Sequence, residues 1–271
     1  MPLRAIVTVA LMLHLPMALS GQSAASSAPH DPAIFAFENF AAIFGGRLAA
    51  ALDSIPAARY DYRPTPSQQT IGYIAQHLES ANYGLCERIG NLKHRTTAKD
   101  SLADTVKARW PKDTLVARYK ASLRFCYDAL ERVPRVDSLP VATYLLQFET
   151  DLAEHYSQLA VYMRLLGMVP PSALPPAPRM AIELPPSALQ AYVGLYQLAP
   201  GGEFDVTLRN GALFVRSTLS GSEVRLWPES STDFFLKEAD AQLTFVRDAS
   251  GAVTAFILHQ FGRDRLARRV R

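Results

Sequence analysis

The sequence predicts a two-part fold: an up-down four-helix bundle, then a small antiparallel β-barrel or sandwich. Three observations carry this. Between residues 31 and 168, apolar residues recur at steps of three and four in four separate segments; prolines then crowd one stretch; beyond it the apolar period falls to two. The chain is large enough for both parts, with 271 residues, 49% of them hydrophobic and 20% charged. That composition is ordinary for a globular protein and excludes whole-chain disorder, collagen-like repeats and coiled-coil fibres. The net charge of +3, from 28 basic and 25 acidic residues, is small. Part of it is local, since Arg263, Arg265, Arg268, Arg269 and Arg271 crowd the end of the sequence and read as a solvated basic tail. A nucleic-acid protein would instead carry a basic stripe interleaved with aromatics through its folded part, so no nucleic-acid partner is expected.

Arg4 is the only charge before an apolar run from Ala5 to Leu19, interrupted by Thr8, His14 and Pro16. A positive start, an apolar core and small residues at Ala18 and Ser20 make residues 1–20 a secretory signal. The run falls short of the roughly 20 apolar residues a spanning helix needs, so no stable membrane insertion is expected after cleavage; an uncleaved anchor is the alternative. No cysteine lies near the cleavage region, which excludes a lipid-anchored start. Residues 21–30, small and polar, are expected to be a flexible mature start, and the protein to reside in a periplasm or outside the cell. Export bears on Cys86 and Cys126, each in a helical pattern. In an oxidising compartment an even pair reads as a disulfide stapling two helices, with two free buried thiols as the alternative.

The first helix is expected over Asp31–Leu52, with Asp31 as cap, Pro32 in the first turn and Phe37, Phe40, Ala41 and Phe44 at helical spacing. Ile55–Pro66, with three prolines and two aromatics, reads as a fixed loop. Thr65 or Ser67 would cap a second helix running to about Gly90, whose stripe is Ile71, Ile74, Leu78, Ala81, Leu85 and Ile89. The third spans Lys112–Glu131 and the fourth Val141–Gly167, with a stripe of Leu145, Phe148, Leu152, His155, Leu159, Tyr162 and Leu166. Residues 169–186 hold seven prolines, a density no helix or central strand survives, so this is a stiff extended linker between a helical domain (31–168) and a β domain (187–271). In the β domain, Asn210-Gly211 between two alternating segments reads as a type I′ hairpin. A second hairpin is expected around Asp248–Gly251. This domain shows no cluster of acids, histidines or nucleophiles along the chain and reads as non-catalytic.

Of the six histidines, His14 leaves with the signal, His30 lies in the mature start, His94 reads as a solvated loop residue and His259 as a surface strand residue. His155 lies on the apolar stripe of its helix with Asp151 one turn earlier on the same face, and His77 sits beside the stripe of the second helix. If the second and fourth helices are neighbours, two imidazoles and a carboxylate converge, a facial arrangement suited to a divalent metal with open positions. The competing reading is an Asp–His pair that merely orients a core histidine. There is no Gly-rich phosphate loop, no G-x-S-x-G elbow and no S-x-x-K, and no catalytic residue can be named. Tyr60, Tyr62, Tyr73, Tyr83, Tyr156 and Tyr162 could line a pocket or serve core packing.

Ile55-Pro-Ala-Ala-Arg-Tyr-Asp-Tyr-Arg-Pro-Thr-Pro66 followed by Ile71-Gly-Tyr-Ile-Ala-Gln-His77 resembles the opening of DinB-like (DinB/YfiT-type) proteins. So does Glu154-His-Tyr-Ser-Gln158 with the stretch from Val161 to Ser172. The resemblance covers about residues 31–172 and implies a four-helix bundle holding a divalent metal through three histidines, one on the second helix and two in an H-x-x-x-H on the last. His77 matches the first and His155 the third, but Asp151 stands where the family has its second histidine. Aspartate is a competent ligand, so the implied cofactor is zinc, nickel, manganese or iron, its identity open. Some members are thiol-dependent transferases or hydrolases, and exported members often carry a cysteine in each middle helix, which favours a Cys86–Cys126 bridge. The segment from Tyr192-Val-Gly-Leu-Tyr196 to Val270 more weakly resembles the lipocalin-like accessory module that follows some serine hydrolase domains. The expectation is an exported metalloprotein acting on an unidentified small molecule, with a homodimer left open. The alternative is a non-enzymatic envelope scaffold that binds a ligand or a protein.

Overall fold

The computed structural model describes residues 31–175, 177–198, 202–218, 221–260 and 262–271. The expected signal and mature start, with His14 and His30, lie outside the described residues. The chain is helical first and β second. Helices α1 (Pro32–Ser54), α2 (Ile71–Gly90), the single turn α3 (Asp104–Lys107), α4 (Lys112–Glu131) and α5 (Leu139–Leu165) precede another single turn, α6 (Pro186–Leu189). Eight strands follow: β1 (Gly194–Leu198), β2 (Gly202–Arg209), β3 (Ala212–Ser217), β4 (Glu223–Pro228), β5 (Asp233–Phe235), β6 (Ala241–Arg247), β7 (Val253–Gln260) and β8 (Arg263–Arg269). They form a closed barrel in which each strand pairs antiparallel with its sequence neighbours and β8 returns to β1. Closure leaves no free sheet edge.

Among the four long helices, α1 packs on α4 and α5, and α2 packs on the same two. One core runs through them, from Ile34 and Leu48 in α1 to Ile74 and Leu78 in α2, Tyr119 in α4 and Phe148 and Leu152 in α5. Asp31 caps α1 as expected: its carboxylate accepts from the Ala33 amide at 2.9 Å, and also from the Val136 amide at 2.9 Å, tying the start of α1 to the loop before α5. Cys86 and Cys126 form a disulfide between α2 and α4 with their Cα atoms 5.1 Å apart. Such a bond suits an oxidising compartment.

Several expectations are corrected. The buried residues of α1 are Ile34, Phe35, Glu38, Ala41, Ala42, Gly45, Leu48, Ala51 and Leu52, whereas Phe40 is 51% exposed. Ala41 is buried and Phe37 and Phe44 are half-buried against the same core, so Phe40 is the residue of the expected spacing that faces out; Phe35, outside that spacing, belongs to the core of the barrel. By length and composition α1 could cross a membrane, yet its inner face is buried on α4 and α5. Thr70 caps α2, its hydroxyl accepting from the Tyr73 amide, while Thr65 and Ser67 bond each other in the preceding turn. α5 begins at Leu139, two residues early, because Pro140 suits a first helical turn. Among the described residues of 169–185 the regular structure is one 3₁₀ turn at Pro171–Ala173, and Pro186 opens α6.

The basic C-terminal segment is not a solvated tail. It is β8, and Arg263, Arg265, Ala267 and Arg269 alternate with the exposed Asp264, Leu266 and Arg268. Arg269 donates to the carbonyls of Ala191, Val193 and Val253. Arg265 donates to Asn39 of α1 at 2.7 Å, and Arg263 lies 4.7 Å over the Tyr127 ring while pairing with Glu131. These arginines join the barrel to the helices. The Asn210-Gly211 hairpin has both turn residues at positive φ (50° and 74°), the geometry of a type I′ turn.

Candidate metal centre

The condition set by the sequence is met: α2 and α5 are neighbours. His77 projects from α2, and Asp151 and His155 from successive turns of α5. His77 Nε2 lies 3.3 Å from Asp151 Oδ1, and His155 Nδ1 lies 2.9 Å from the Asp151 carbonyl and 3.4 Å from Oδ1. The imidazole centroids are 4.8 Å apart. One ligand atom from each of the three residues falls within 4.8 Å of the other two. The side chains run from 35% exposed at His77 through 19% at Asp151 to 10% at His155, so the cluster is open on the His77 side and closed behind His155.

The donor chemistry fits a divalent ion. A carbonyl can only accept, so the bond to Asp151 O fixes the proton of neutral His155 on Nδ1 and leaves the Nε2 lone pair free. Asp151 Oδ2 is buried and has no partner among the described residues, and a buried carboxylate oxygen left unsatisfied is costly unless something fills the gap. Tyr73 lies nearly parallel to the His77 ring, at 6.5 Å and 7°, and fixes that imidazole from outside. The hydrogen bond that His77 donates to Asp151 raises the pKa of His77 against the opposing effect of burial, with the charges of Asp151, Asp104 and Glu154 adding to the rise. Protons therefore compete with a cation for His77.

Other residues find different uses. His94 is not a solvated loop residue: it stacks on Tyr83 at 4.1 Å and bonds Glu87 at 2.9 Å. Of the two uses open to the tyrosines, the contacts favour packing. Tyr60 donates to the Leu52 carbonyl, Tyr62 meets Tyr162 edge-on and Tyr156 accepts from the Ser172 amide. Three polar features went unread in the sequence. Arg118 joins Glu79 to Asp100 under Trp110, and the Glu149 carboxyl is buried without a partner, its pKa pushed up to about 8 by burial. In the barrel, read as free of such clusters, Thr244 bonds both Asp233 (2.7 Å) and His259 (3.0 Å), and His259 bonds Asp264 (2.6 Å). The strand register makes this chain of contacts, and no single segment of sequence shows it.

The family "Domain of unknown function (DUF3471)" matches residues 178–268, which take in the barrel and the segment leading to it. No curated protein matches the chain. Among solved structures, a crystal structure of SurE with D-Leu is 26% identical over 45% of this chain and 28% of that chain. The TM-score is 0.30, too low for the likeness to bear on the fold or the site.

Proposed function

We propose that the chain is an exported metalloprotein of DinB type, in which residues 31–168 form a four-helix bundle holding a divalent ion through His77, Asp151 and His155. Residues 169–186 link this bundle to an accessory barrel, residues 187–271. The observation that carries the reading is the convergence of two imidazoles and a carboxylate from α2 and α5 within 4.8 Å, around a buried carboxylate oxygen that lacks a partner. Zinc, nickel, manganese or iron would suit this donor set. Such an ion supplies Lewis acidity, with open positions for a water or a thiol, to a transferase or hydrolase reaction on a small molecule. The chain's own part is positional. The Asp151 carbonyl holds the His155 tautomer, Tyr73 holds the His77 ring, and the exposed His77 side leaves room for a substrate.

Metal analysis of the purified protein, reconstituted separately with each of the four ions, tests this. Stoichiometric metal in the wild type, with affinity lowered at least about tenfold in His155→Ala, is the expected result. No bound metal under any loading, or unchanged metal in His155→Ala, refutes it. A non-enzymatic envelope scaffold is the second reading, favoured by the His77–Asp151 bond, which pairs the imidazole with Asp151 Oδ1 without a cation. It requires ligand binding that survives chelation unchanged.

A further inference from the structure

The end of the barrel nearest α1 opens into a cavity of about 550 Å³, within the range of small-molecule sites. Leu198, Phe204, Leu243 and Leu258 line its barrel side, and Phe35 and Ile43 of α1 roof it. These walls are apolar, with a cation set among them. Arg265 stands on β8 beside Leu258 of β7, its guanidinium 5.2 Å over the Phe35 ring. Arg265 is half-buried, and a guanidinium drawn from water into apolar surroundings normally has a carboxylate partner, because an uncompensated charge there is costly. Among the described residues Arg265 makes no ion pair; its hydrogen-bond partner is the neutral side-chain oxygen of Asn39, which occupies one of five donors. Burial and the charge of Arg263 lower its pKa, while Glu38 and Tyr127 oppose them from beyond ion-pair distance. The acid that lines the cavity, Glu238, is exposed and accepts from the Lys237 amide.

We propose that this cavity binds an amphipathic carboxylate, its hydrocarbon body against Phe204, Leu243 and Leu258 and its head on the Arg265 guanidinium. A carboxylate can take two parallel donors from that fork. One arginine, with Glu38 and Glu238 nearby, favours a single negative charge over the double charge of a phosphate monoester. The site is built from both parts of the chain, because α1 supplies its roof, and it is independent of the metal centre.

The test is calorimetry on the full chain with decanoate, decanol and decyl phosphate. Decanoate is expected to bind at one site at least tenfold tighter than either of the others. From octanoate to decanoate the affinity should rise roughly fourfold per methylene, the gain from burying one methylene group. Arg265→Met should bring decanoate down to the level of decanol and leave decanol unchanged, which shows that the cavity survives. Asn39→Ala removes the anchor to α1 but keeps the guanidinium, so it should retain decanoate binding. The proposal is overturned if decanoate does not bind, if decanol or decyl phosphate matches it in the wild type, if Arg265→Met leaves it unchanged, or if Asn39→Ala loses as much as Arg265→Met.

Discussion

Reducing the Cys86–Cys126 bridge is expected to cost the helical region about 4 kcal/mol. The two cysteines are 40 residues apart in sequence, and closing a loop of that length removes about 13 cal/mol/K of chain entropy from the unfolded state, or about 4 kcal/mol at 25 °C. Comparing oxidised with reduced wild type keeps both sulfurs in place, so no cavity term enters, as it would with alanine. Both cysteines are fully buried, so reduction must be done in denaturant before refolding under reductant. The two tryptophans make the measurement local: Trp110 stacks on Arg118 of α4 and Trp227 lies in β4. In a Trp227→Phe background, Trp110 fluorescence should show a guanidinium midpoint lowered by about 1 M, for a slope of about 4 kcal/mol/M. In a Trp110→Phe background the cysteine-free barrel should shift far less. A Trp110 midpoint that moves by less than about 0.2 M, or thiols that titrate in unfolded but unreduced protein, would refute the reasoning.

Gly90→Ala should destabilise the helical region by about 2 kcal/mol, despite the gain of about 1 kcal/mol in helix propensity, because the new Cβ would stand 2.7 Å from Ala129 Cα in α4. Urea unfolding followed by far-UV dichroism checks this, and a neutral result would mean that α2 and α4 are not so close. Arg269→Met strips a donor from three carbonyls at the barrel seam and should cost about 3 kcal/mol in unfolding monitored at Trp227, where no change would count against the seam bonds. Asp100 has its pKa lowered to about 2, because bonds from Thr97 and Arg118 outweigh the opposing effect of burial. A depressed carboxylate contributes stability that is full above about pH 4 and lost as pH falls toward 2. Asp100→Asn should therefore lose about 1 kcal/mol at pH 7 and show a flatter acid limb than wild type in thermal melts between pH 7 and 2; identical acid limbs would rule this out.

What could be read in the sequence was local. Of the seven residues on the expected stripe of α5, Leu145, Phe148, Leu152, His155, Leu159 and Tyr162 are buried, and Leu166, just past the helix end, is half-buried. The Asn210-Gly211 turn needs no distant partner to specify it. What could not be read depends on packing between distant segments. His77 meets Asp151 because α2 lies on α5, which periodicity allowed without requiring. β8 was hidden because three of the four residues on its buried side are arginines, so the alternation that marks a strand is a pattern of charges and Ala267 alone signals a core. Phe40 falls on the expected inner stripe of α1 and is exposed, while Phe35, outside that stripe, is part of the barrel core.

The pairing of β8 with β1 sets an order of events during synthesis. Tyr196 can find Arg269 only after every intervening strand has emerged, so the barrel has its full set of hydrogen bonds only when the segment Arg263–Arg269 is available. The helical region has no such dependence: its disulfide, its caps and its shared core are complete by Met168. During vectorial production the helices can be packed and bridged while β1 to β7 still wait, two of their edges open to other chains. A ribosome that stalls before Arg263 would release a protein whose first part is finished and whose second part is an adhesive sheet.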